Sequence, residues 1–531
     1  MVTNRGQSRP RTVVITGATG GLGLALARGM AARGDRLILL GRRPLATLDD
    51  PLFSAATYCQ VDLAVPDCAD VFDRFLRERG IAAVDLAIQN AGVGSYGPIA
   101  AQSPESIEEL LRVNLHAPLA LTHTLLPALW RTRGTLVFIG SVAAALPVPQ
   151  YAVYGATKAA LEGFARSLRI ELAGQVAVRV FHPGAIRTAL HAKSGMMPAP
   201  AVARRYPSPE RVAAQIMAAL ERGPTTTALG PANRALRFAG RHGAPVVDAL
   251  VRSRQRRAGQ ATGTGTPPLL AEKHCVITGA ADGIGRALAH AFGAAGYRVT
   301  GVDRDEMLSA RTHAELTERG IHATFLHADL TERADVARLV AHLATDEAID
   351  CLVHCAGISA VGRFARADIA EQGRVLDLNL RAPLLLTGGL LARQALAPGG
   401  TLVFIASLSC FTGYPGAASY AASKDGVAAF ARTLRVGLAA SGRHVLTVYP
   451  GPTRTAHARR YSPDNRREAR RMPPEVLATR VLAAVRAGRG TLIPGPGNRL
   501  FALIGTVAPG LAELVMRKTV FEPLDRAARR R

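Results

Sequence analysis

The chain repeats itself at long range, and this limits what it can fold into more than any other feature of its 531 residues. The segment TVVITGATGGLGLALARGMAARGDRLILLG at 12–41 returns as HCVITGAADGIGRALAHAFGAAGYRVTGVD at 274–303. QNAG at 89–92 then answers HCAG at 354–357, VNLHAPL at 113–119 answers LNLRAPL at 378–384, and TLVFIGS at 135–141 answers TLVFIAS at 401–407. YGATKAA at 154–160 answers YAASKDG at 420–426, and HPGAIRT at 182–188 answers YPGPTRT at 449–455. The offset is 262 from Gly17 to Gly279, 265 from Asn114 to Asn379 and 266 from Tyr154 to Tyr420. Solenoid repeats are roughly 20–50 residues long, so a period of this size means duplicated whole domains. Length alone suggests about three domains; the repeat reduces them to two.

Within each half, short Val/Ile/Leu runs such as TVVITG, RLILLG, TLVFIGS and VAVRVFHPG read as buried parallel strands. The Ala/Leu/Arg stretches between them have helical spacing. This alternation predicts an α/β fold of two tandem Rossmann-type, doubly wound parallel sheets, each followed by a short helical tail. In such sheets ligands lie at the carboxyl ends of the strands. The expected division is an N-terminal extension at 1–11, a first domain at 12–250 with its tail at 230–253, a linker at 251–272, a second domain at 273–495 and an amphipathic, basic tail at 496–531. The linker rests on RSRQRRAGQATGTGTPP, 252–268, which passes from charge to Gly/Thr to Pro-Pro.

Each half opens on a glycine-rich turn after an apolar strand. The first is Thr16-Gly17-Ala-Thr-Gly-Gly21-Leu22-Gly23, the second Thr278-Gly279-Ala-Ala-Asp-Gly283-Ile284-Gly285. Glycines let the backbone turn sharply and approach a pyrophosphate, which the free N–H groups and positive end of the next helix then hold. One such loop is a weak signal; two in register with the rest of the repeat are a strong one. Downstream, Tyr154 and Lys158 lie four apart on an expected helix, as do Tyr420 and Lys424, so each pair shares a face one turn apart. A cation beside a phenol favours phenolate and lowers the tyrosine pKa toward working pH, as a general acid/base requires. Ser141 and Ser407 each end a strand thirteen residues before their tyrosine, within reach of the same carbonyl oxygen.

The TGxxxGxG spacing, with these residues behind it, resembles the short-chain dehydrogenase/reductase family over about 12–230 and 273–495. The resemblance implies two oxidoreductase units, each moving hydride between a nicotinamide cofactor and a small-molecule carbonyl or alcohol. It adds Asn114 and Asn379, completing Asn-Ser-Tyr-Lys tetrads. In these, by the same resemblance, Tyr exchanges a proton with the substrate oxygen and Lys holds the nicotinamide ribose. Ser polarises the substrate oxygen, and Asn supports a water chain. Asp62 and Asp329 would sit near the adenine, and Asn90 and Gly92 of the family's NAG motif in the cofactor loop. The second half departs here: Cys355 precedes Ala356 and Gly357, which removes a side-chain amide. Pro183-Gly184 with Thr188, and Pro450-Gly451 with Thr453 or Thr455, resemble the loop that flanks the nicotinamide; a plain turn after a strand gives the same pattern.

Twenty-four residues after the first glycine stand Gly41-Arg42-Arg43 in one half and Asp303-Arg304 in the other. A carboxylate there bonds the ribose hydroxyls and repels a 2′-phosphate, whereas arginines pair with that phosphate. The expectation is NADP(H) in the first domain and NAD(H) in the second. The alternative for Arg42 and Arg43 is ordinary surface charge.

A net charge of +25 favours acidic partners, yet no aromatic-plus-basic RNA motif or zinc-finger spacing accompanies it, so no nucleic acid is expected. Cys59, Cys68, Cys275, Cys351, Cys355 and Cys410 contain no C-x-x-C pair and do not recur at matching places, as free thiols in a reducing cytoplasm would not. The N-terminus has no apolar stretch of the secretory kind, and no uninterrupted apolar run reaches the roughly 20 residues of a membrane span. After each Pro-Gly, at 189–209 and 456–474, the resemblance places a variable substrate lid. The first carries Arg204 and Arg205. The second is crowded with Arg459, Arg460, Arg466, Arg467, Arg470 and Arg471, which either attract acyl-CoA, acyl-carrier protein or lipid phosphate or are simply solvated. The tails GPANRALRFAGRHGAPVVDALVRS at 230–253 and GPGNRLFALIGTVAPGLAELVMRK at 495–518 match each other. They pack on their own domain or its partner, lie on a membrane surface, or cover a substrate entrance. The leading expectation is a bifunctional oxidoreductase acting on lipid-like or acyl substrates, cytoplasmic or peripheral at the inner membrane surface. Its repeats are expected to pair as an intramolecular pseudo-dimer, or the chain to form a homo-oligomer. The alternative, resting on Cys355, is one catalytic domain beside a non-catalytic scaffold.

Overall fold

A computed structural model of the chain describes residues 9–223, 226–259, 272–462, 465–466 and 468–529. Residues 1–8 of the expected extension, 260–271 of the expected linker, Arg467 of the second lid and the last two arginines of the tail lie outside the described residues.

The Val/Ile/Leu runs form strands buried on both faces, which is why they read as continuous apolar stretches rather than alternating ones. In the first repeat these are β1 (Thr12–Thr16), β2 (Arg36–Gly41), β3 (Tyr58–Gln60), β4 (Leu86–Gln89), β5 (Thr135–Ile139), β6 (Ala177–His182) and β7 (Thr226–Ala228). They make a seven-stranded sheet in the order β3-β2-β1-β4-β5-β6-β7, parallel throughout. The second repeat gives β8 (Lys273–Thr278), β9 (Tyr297–Asp303), β10 (Ala323–His327), β11 (Ile349–His354), β12 (Leu396–Ile405), β13 (His444–Val448) and β14 (Thr491–Leu492), in the order β10-β9-β8-β11-β12-β13-β14. The order reverses between β1 and β4, and between β8 and β11. That reversal opens a crevice at the strands' carboxyl ends. Val13, Ile15, Leu26, Leu39 and Phe181 anchor the first core, and Ile277, Leu288, Phe292, Val353 and Leu446 the second.

The helices that matter for function are α1 (Gly21–Ala31), α2 (Ala152–Glu171), α3 (Pro231–His242) and α4 (Ala244–Gly259) in the first repeat. In the second they are α5 (Gly283–Gly293), α6 (Ala418–Gly437), α7 (Ala456–Tyr461), α8 (Pro496–Val507) and α9 (Pro509–Met516). Residues 251–259, expected to begin the linker, are instead the last turns of α4. Arg, Gln and Ala are good helix formers, so the RQRRA run prolongs the tail helix. Ile369–Ala392 is long and apolar enough to cross a membrane, but 72% of its apolar window is buried, as befits a core helix.

The chain forms two compact units. Met1–Gly94, Glu109–Val142 and Leu172–Arg234 make the first, which holds the first sheet; Ser95–Glu108, Ala143–Glu171 and Ala235–Arg531 make the second, which holds the second sheet, α2, the first tail from Ala235 on and the whole second tail. Within the second unit α2 packs along α6. Gly163 leaves the space that Asp425 fills, and Arg166 Nη2 donates to Asp425 Oδ2 at 2.5 Å and to Cys410 O at 3.0 Å. Burial pushes the Asp425 carboxyl up to about 7 although Arg166 pulls it down. Glu171 at the end of α2 accepts from Phe364 N at 3.0 Å and Gly416 N at 2.7 Å.

The tails cross over. Asp248 on α4 accepts from Arg432 Nε and Arg435 Nη2 on α6, both at 2.9 Å. Glu513 on α9 accepts from Arg169 Nε on α2 at 3.1 Å. Asp248 and Glu513 occupy matching places in the repeats, offset 265, and so do Arg169 and Arg435, offset 266. Each tail is therefore clasped to the tyrosine-bearing helix of the other repeat. Each also sits on its own repeat's loop after the strand-ending serine. A Cβ on Gly240 would lie 2.4 Å from Ala145 O, and one on Gly505 would lie 2.4 Å from Phe411 O.

Candidate active sites

β1 and β8 each deliver the backbone into a glycine with positive φ, +66° at Gly17 and +69° at Gly279. The third glycine of each turn is tighter still. A Cβ on Gly23 would lie 2.1 Å from Gly17 O, and one on Gly285 would lie 1.9 Å from Gly279 O. Gly21 and Gly283 leave room for Thr188 and Thr455, 3.1 and 3.3 Å from where their Cβ atoms would be. The first turns of α1 and α5 carry no side-chain cap, so their amides face the open end of the crevice. This cradle fits a pyrophosphate. Leu22 and Ile284, expected within it, pack against the cores.

A threonine ties each cradle to the next strand. Thr16 Oγ1 accepts from Asn90 N at 2.9 Å and Ala91 N at 3.0 Å, and Asn90 Nδ2 donates to Thr16 O at 3.0 Å. Thr278 Oγ1 accepts from Cys355 N at 3.1 Å and Ala356 N at 3.2 Å. The backbone half of the tie survives in the second repeat, and the amide half has gone with the asparagine. Burial pushes the Cys355 thiol up to about 12, so it stands there as a neutral group. Gly357 lies beside the tetrad: a Cβ would be 3.2 Å from Asn379 Oδ1 and 3.4 Å from Lys424 Nζ.

At the ribose end the repeats diverge. Asp303 closes β9, accepting from Ala281 N at 3.1 Å through Oδ2 and from Arg304 N at 2.8 Å and Asp305 N at 3.2 Å through Oδ1. Gly41 occupies this place in the first repeat, where Thr19 Cγ2 would stand 2.7 Å from a Cβ. Arg42 and Arg43 follow it, exposed; Arg42 lies 3.8 Å from Glu109 and Arg43 donates to Thr47 O at 2.6 Å. Asp62 is exposed and accepts from Ala64 N at 2.9 Å. Asp329 accepts from Thr331 N and Oγ1 at 2.9 and 2.7 Å and lies 3.5 Å from Arg304.

The Pro-Gly turns follow β6 and β13. Pro183 O accepts from Val142 N at 3.4 Å and Pro450 O from Leu408 N at 3.3 Å. Of the two threonines considered for the second turn, Thr455 is the counterpart of Thr188. Thr453 is buried and donates to Gly451 O at 3.0 Å. The common spacing P-G-x-x-x-T decides this, because it places Thr455 over Gly283 as Thr188 lies over Gly21. Two asparagines outside the expected set brace the turns. Asn233 donates to Leu229 O at 2.7 Å and Asn498 to Pro494 O at 2.6 Å. Each presses so closely on its turn that a Cβ on Gly184 or Gly451 would lie 2.5 Å from the amide. Their signal in the sequence is the shared GPANR and GPGNR that open the tails.

In the second repeat the tetrad converges. A π-turn over Asp377–Arg381 aims Asn379 inward, a local irregularity common at functional sites. Its Oδ1 accepts from Ile358 N, and its Nδ2 donates to Ile358 O, both at 2.9 Å, and to Ser423 Oγ at 3.0 Å. Ser407 follows β12; its hydroxyl accepts from Ser409 N at 3.2 Å and stands close enough to the Tyr420 phenol on α6 to draw its pKa down. Lys424, one turn on, donates to Ile405 O at 2.9 Å, with Nζ 5.7 Å from the Tyr420 ring centre. Desolvation pushes the phenol up to about 12 against the downward pull of Ser407, and it lowers Lys424 as well. The phenol thus stands above its ordinary value, where the Tyr-x-x-x-Lys spacing predicts a lower one, because its own burial is the dominant influence. Tyr414 and His457 flank Tyr420 with ring centres 6.2 and 6.3 Å away. Burial takes His457 down to about 4, with its bond to the Gly357 backbone pulling upward. Neither residue recurs in the first repeat, where Val148 and Leu190 stand, so comparing the halves gave no sign of them.

The first repeat places its four candidates on matching elements. Asn114 lies in a π-turn over Arg112–His116, accepting from Val93 N at 2.8 Å and donating to Val93 O at 2.9 Å. Ser141 follows β5, its carbonyl 3.1 Å from His182 Nδ1. Tyr154 and Lys158 share a face of α2, Nζ 5.9 Å from the ring centre, and burial brings Lys158 down to about 8.

The sequence profile of the short chain dehydrogenase family matches residues 11–198 and again 273–466. Dehydrogenase/reductase SDR family member 7B of Bos taurus is 36% identical over 238 residues, 41% of this chain and 72% of that protein. The 1-deoxy-11-beta-hydroxypentalenate dehydrogenase of Streptomyces exfoliatus is 36% identical over 188 residues, 34% of this chain and 68% of that protein. Among solved structures, a short-chain dehydrogenase from Sphingobium yanoikuyae in complex with NADPH is 29% identical and covers 44% of this chain and 92% of its own, with a TM-score of 0.40.

Proposed function

The chain belongs to the short chain dehydrogenase family, a tandem oxidoreductase matched twice over, and we propose that both repeats interconvert carbonyls and alcohols, the first with NADP(H) and the second with NAD(H). The observation that carries the reading is that Tyr420 and Lys424 share one face of α6, with Ser407 close enough to draw the phenol's pKa down and a glycine cradle beside them. When bound, the nicotinamide supplies or accepts the hydride. The chain's own work is proton handling and orientation. Reduction needs a proton at the substrate oxygen, and the Tyr420 phenol, pushed up to about 12 by burial, holds one to give. Ser407 orients the phenol and offers a second hydroxyl to the same oxygen. Lys424 and Asn379 stand together beside Gly357. By the same sequence pattern, the corresponding roles in the first repeat fall to Tyr154, Lys158, Ser141 and Asn114.

The division of cofactors is supported by the ribose ends. Asp303 is held ready by three backbone amides to accept from ribose hydroxyls, whereas Gly41 has no side chain and is followed by two exposed arginines. The test uses the full chain. A methyl group in either cradle overpacks it at a cost of about 1–3 kcal/mol, which is roughly 5–150-fold in affinity where the distorted cradle is what holds the cofactor. Gly23→Ala is therefore expected to lose NADPH binding and keep NADH, and Gly285→Ala to do the reverse, in fluorescence titrations. Loss of the same cofactor from both variants would remove the division.

The pairing of α2 with α6 and the crossed tails support an intramolecular pseudo-dimer, in which two repeats meet as subunits do across a two-fold axis. Exposed Arg459, Arg460, Arg466 and Arg470 in the second lid support a lipid-like or acyl substrate with an anionic group. Six free thiols are in keeping with a reducing cytoplasm. A second reading, the second repeat as a cofactor-holding scaffold, is favoured by the amide tie missing at Cys355. It requires that Tyr420→Phe leave total turnover unchanged.

A further inference from the structure

We propose that the outer face of the C-terminal helix pair, α8 and α9, is a docking surface for an anionic lipid bilayer. The proposal goes beyond the catalytic reading and does not depend on it. On α8 the side chains turned outward are Leu500, Leu503 and Val507, three and four residues apart; on α9 they are Leu511, Leu514 and Val515. All but the last are about half exposed or more, from 49% at Leu514 to 67% at Val507. The opposite faces are seated on the protein through Ala502 and Gly505 on α8 and Ala512 and Met516 on α9. A single exposed aliphatic is ordinary, but six gathered on one helix pair are an interaction surface. Pro509 interrupts the run, and α8 meets the helix that follows at 118°. A bend of that size suits a pair lying in the headgroup boundary with its elbow inward, not a straight span.

Charge decides the occupant. Between Leu500 and Met516 the one carboxylate is Glu513, turned inward onto Arg169. At the two ends of the pair stand exposed Arg499, Arg517 and Lys518, of which Arg517 lies 3.9 Å from exposed Glu522, leaving Arg499 and Lys518 as the excess cations, and the whole chain carries +25. The first tail repeats the division. Leu236, Phe238, Val246 and Leu250 are exposed, while Asp248, the one carboxylate of 231–253, is turned inward onto Arg432 and Arg435. A second copy of this face would bring cation against cation. A bilayer with anionic headgroups receives the aliphatics and pairs the cationic ends at once.

The test is flotation of the full chain with vesicles of phosphatidylcholine alone and of an equimolar phosphatidylcholine–phosphatidylglycerol mixture, with light scattering on the same samples. Capture by the anionic vesicles is expected to exceed capture by the neutral ones by about tenfold or more and to fall as salt is raised. Leu503→Asp with Leu511→Asp is expected to reduce it by about tenfold or more, while Tm and NADPH binding stay as in the native chain. Should that variant lose Tm, Arg517→Glu with Lys518→Glu takes its place and is expected to abolish the anionic preference. The proposal fails if neither vesicle captures the native chain, or if capture ignores lipid charge. It also fails if the folded variants float as the native chain does, or if light scattering shows a native dimer that they dissolve. Tyr154→Phe and Tyr420→Phe should float normally whatever they do to turnover, which keeps this outcome separate from the catalytic one.

Discussion

One helical turn separates each tyrosine from its lysine, and desolvation weakens the lysine's charge in both repeats. The consequence differs from that of an exposed lysine, which stays charged far into alkaline solution. Lys158, brought down to about 8, is protonated below that pH and neutral above it. NADPH-linked turnover by the first repeat is therefore expected to decline as pH rises through about 8, in a pH–rate profile. A profile flat to pH 10 would show that bound cofactor and substrate restore the charge. The sequence made the tetrads and glycines legible because their chemistry demands particular residues at particular spacings. It did not reveal His457 and Tyr414, which belong to one repeat alone and reach Tyr420 only through the fold. Asn233 and Asn498 were within sight in the matched tail motifs, but a lone asparagine gives no sign of bracing a turn. Thr455 was separable from Thr453 by counting from Pro450.

Among elements, the tails and the paired helices carry the least expected arrangement. Asp248 is buried with its side chain 5% exposed between Arg432 and Arg435. Removing one partner of such a cluster costs about 3–5 kcal/mol, because it strands buried charge. Asp248→Ala is expected to lower stability by that order in denaturant unfolding. The more exposed Glu513→Ala should cost less. Equal, negligible effects would mean that the clasps are incidental. Glu171 supplies a pH signature. Its carboxyl is raised to about 7 from an ordinary 4.5 by burial, which outweighs the two backbone amides it accepts from. The folded state thus holds the proton more tightly than the unfolded one. This stabilisation is complete below pH 4.5 and is lost as pH rises through about 7. Over that interval the native chain should lose on the order of 3 kcal/mol from this one group, and Glu171→Gln should remove that part of the slope. The long strands could be read from sequence. β3, β7 and β14 could not, since two or three residues at a sheet edge make no periodic pattern. The end of α4 is not legible as helix, because arginine-rich sequence suits a helix and a coil equally well.

For the whole molecule, the duplication was plain from the sequence, and with it two doubly wound parallel sheets, since strands alternating with helices leave few topologies. The partnership of α2 and α6 was not. An apolar helix face looks the same whether another repeat or another chain will cover it. What the tandem arrangement adds is mutual dependence, for each tail joins the serine loop of its own repeat to the tyrosine helix of the other. The account's central claim is that both repeats are working oxidoreductases. Its most direct test is steady-state turnover of the full chain on a carbonyl and alcohol panel with each cofactor, carrying Tyr154→Phe or Tyr420→Phe. Loss of an acid/base group costs about 10²–10⁴-fold. The account expects Tyr154→Phe to lose that much NADPH-linked turnover while keeping the NADH-linked reaction, and Tyr420→Phe to show the converse. A chain in which either replacement leaves both reactions at full rate would contradict it.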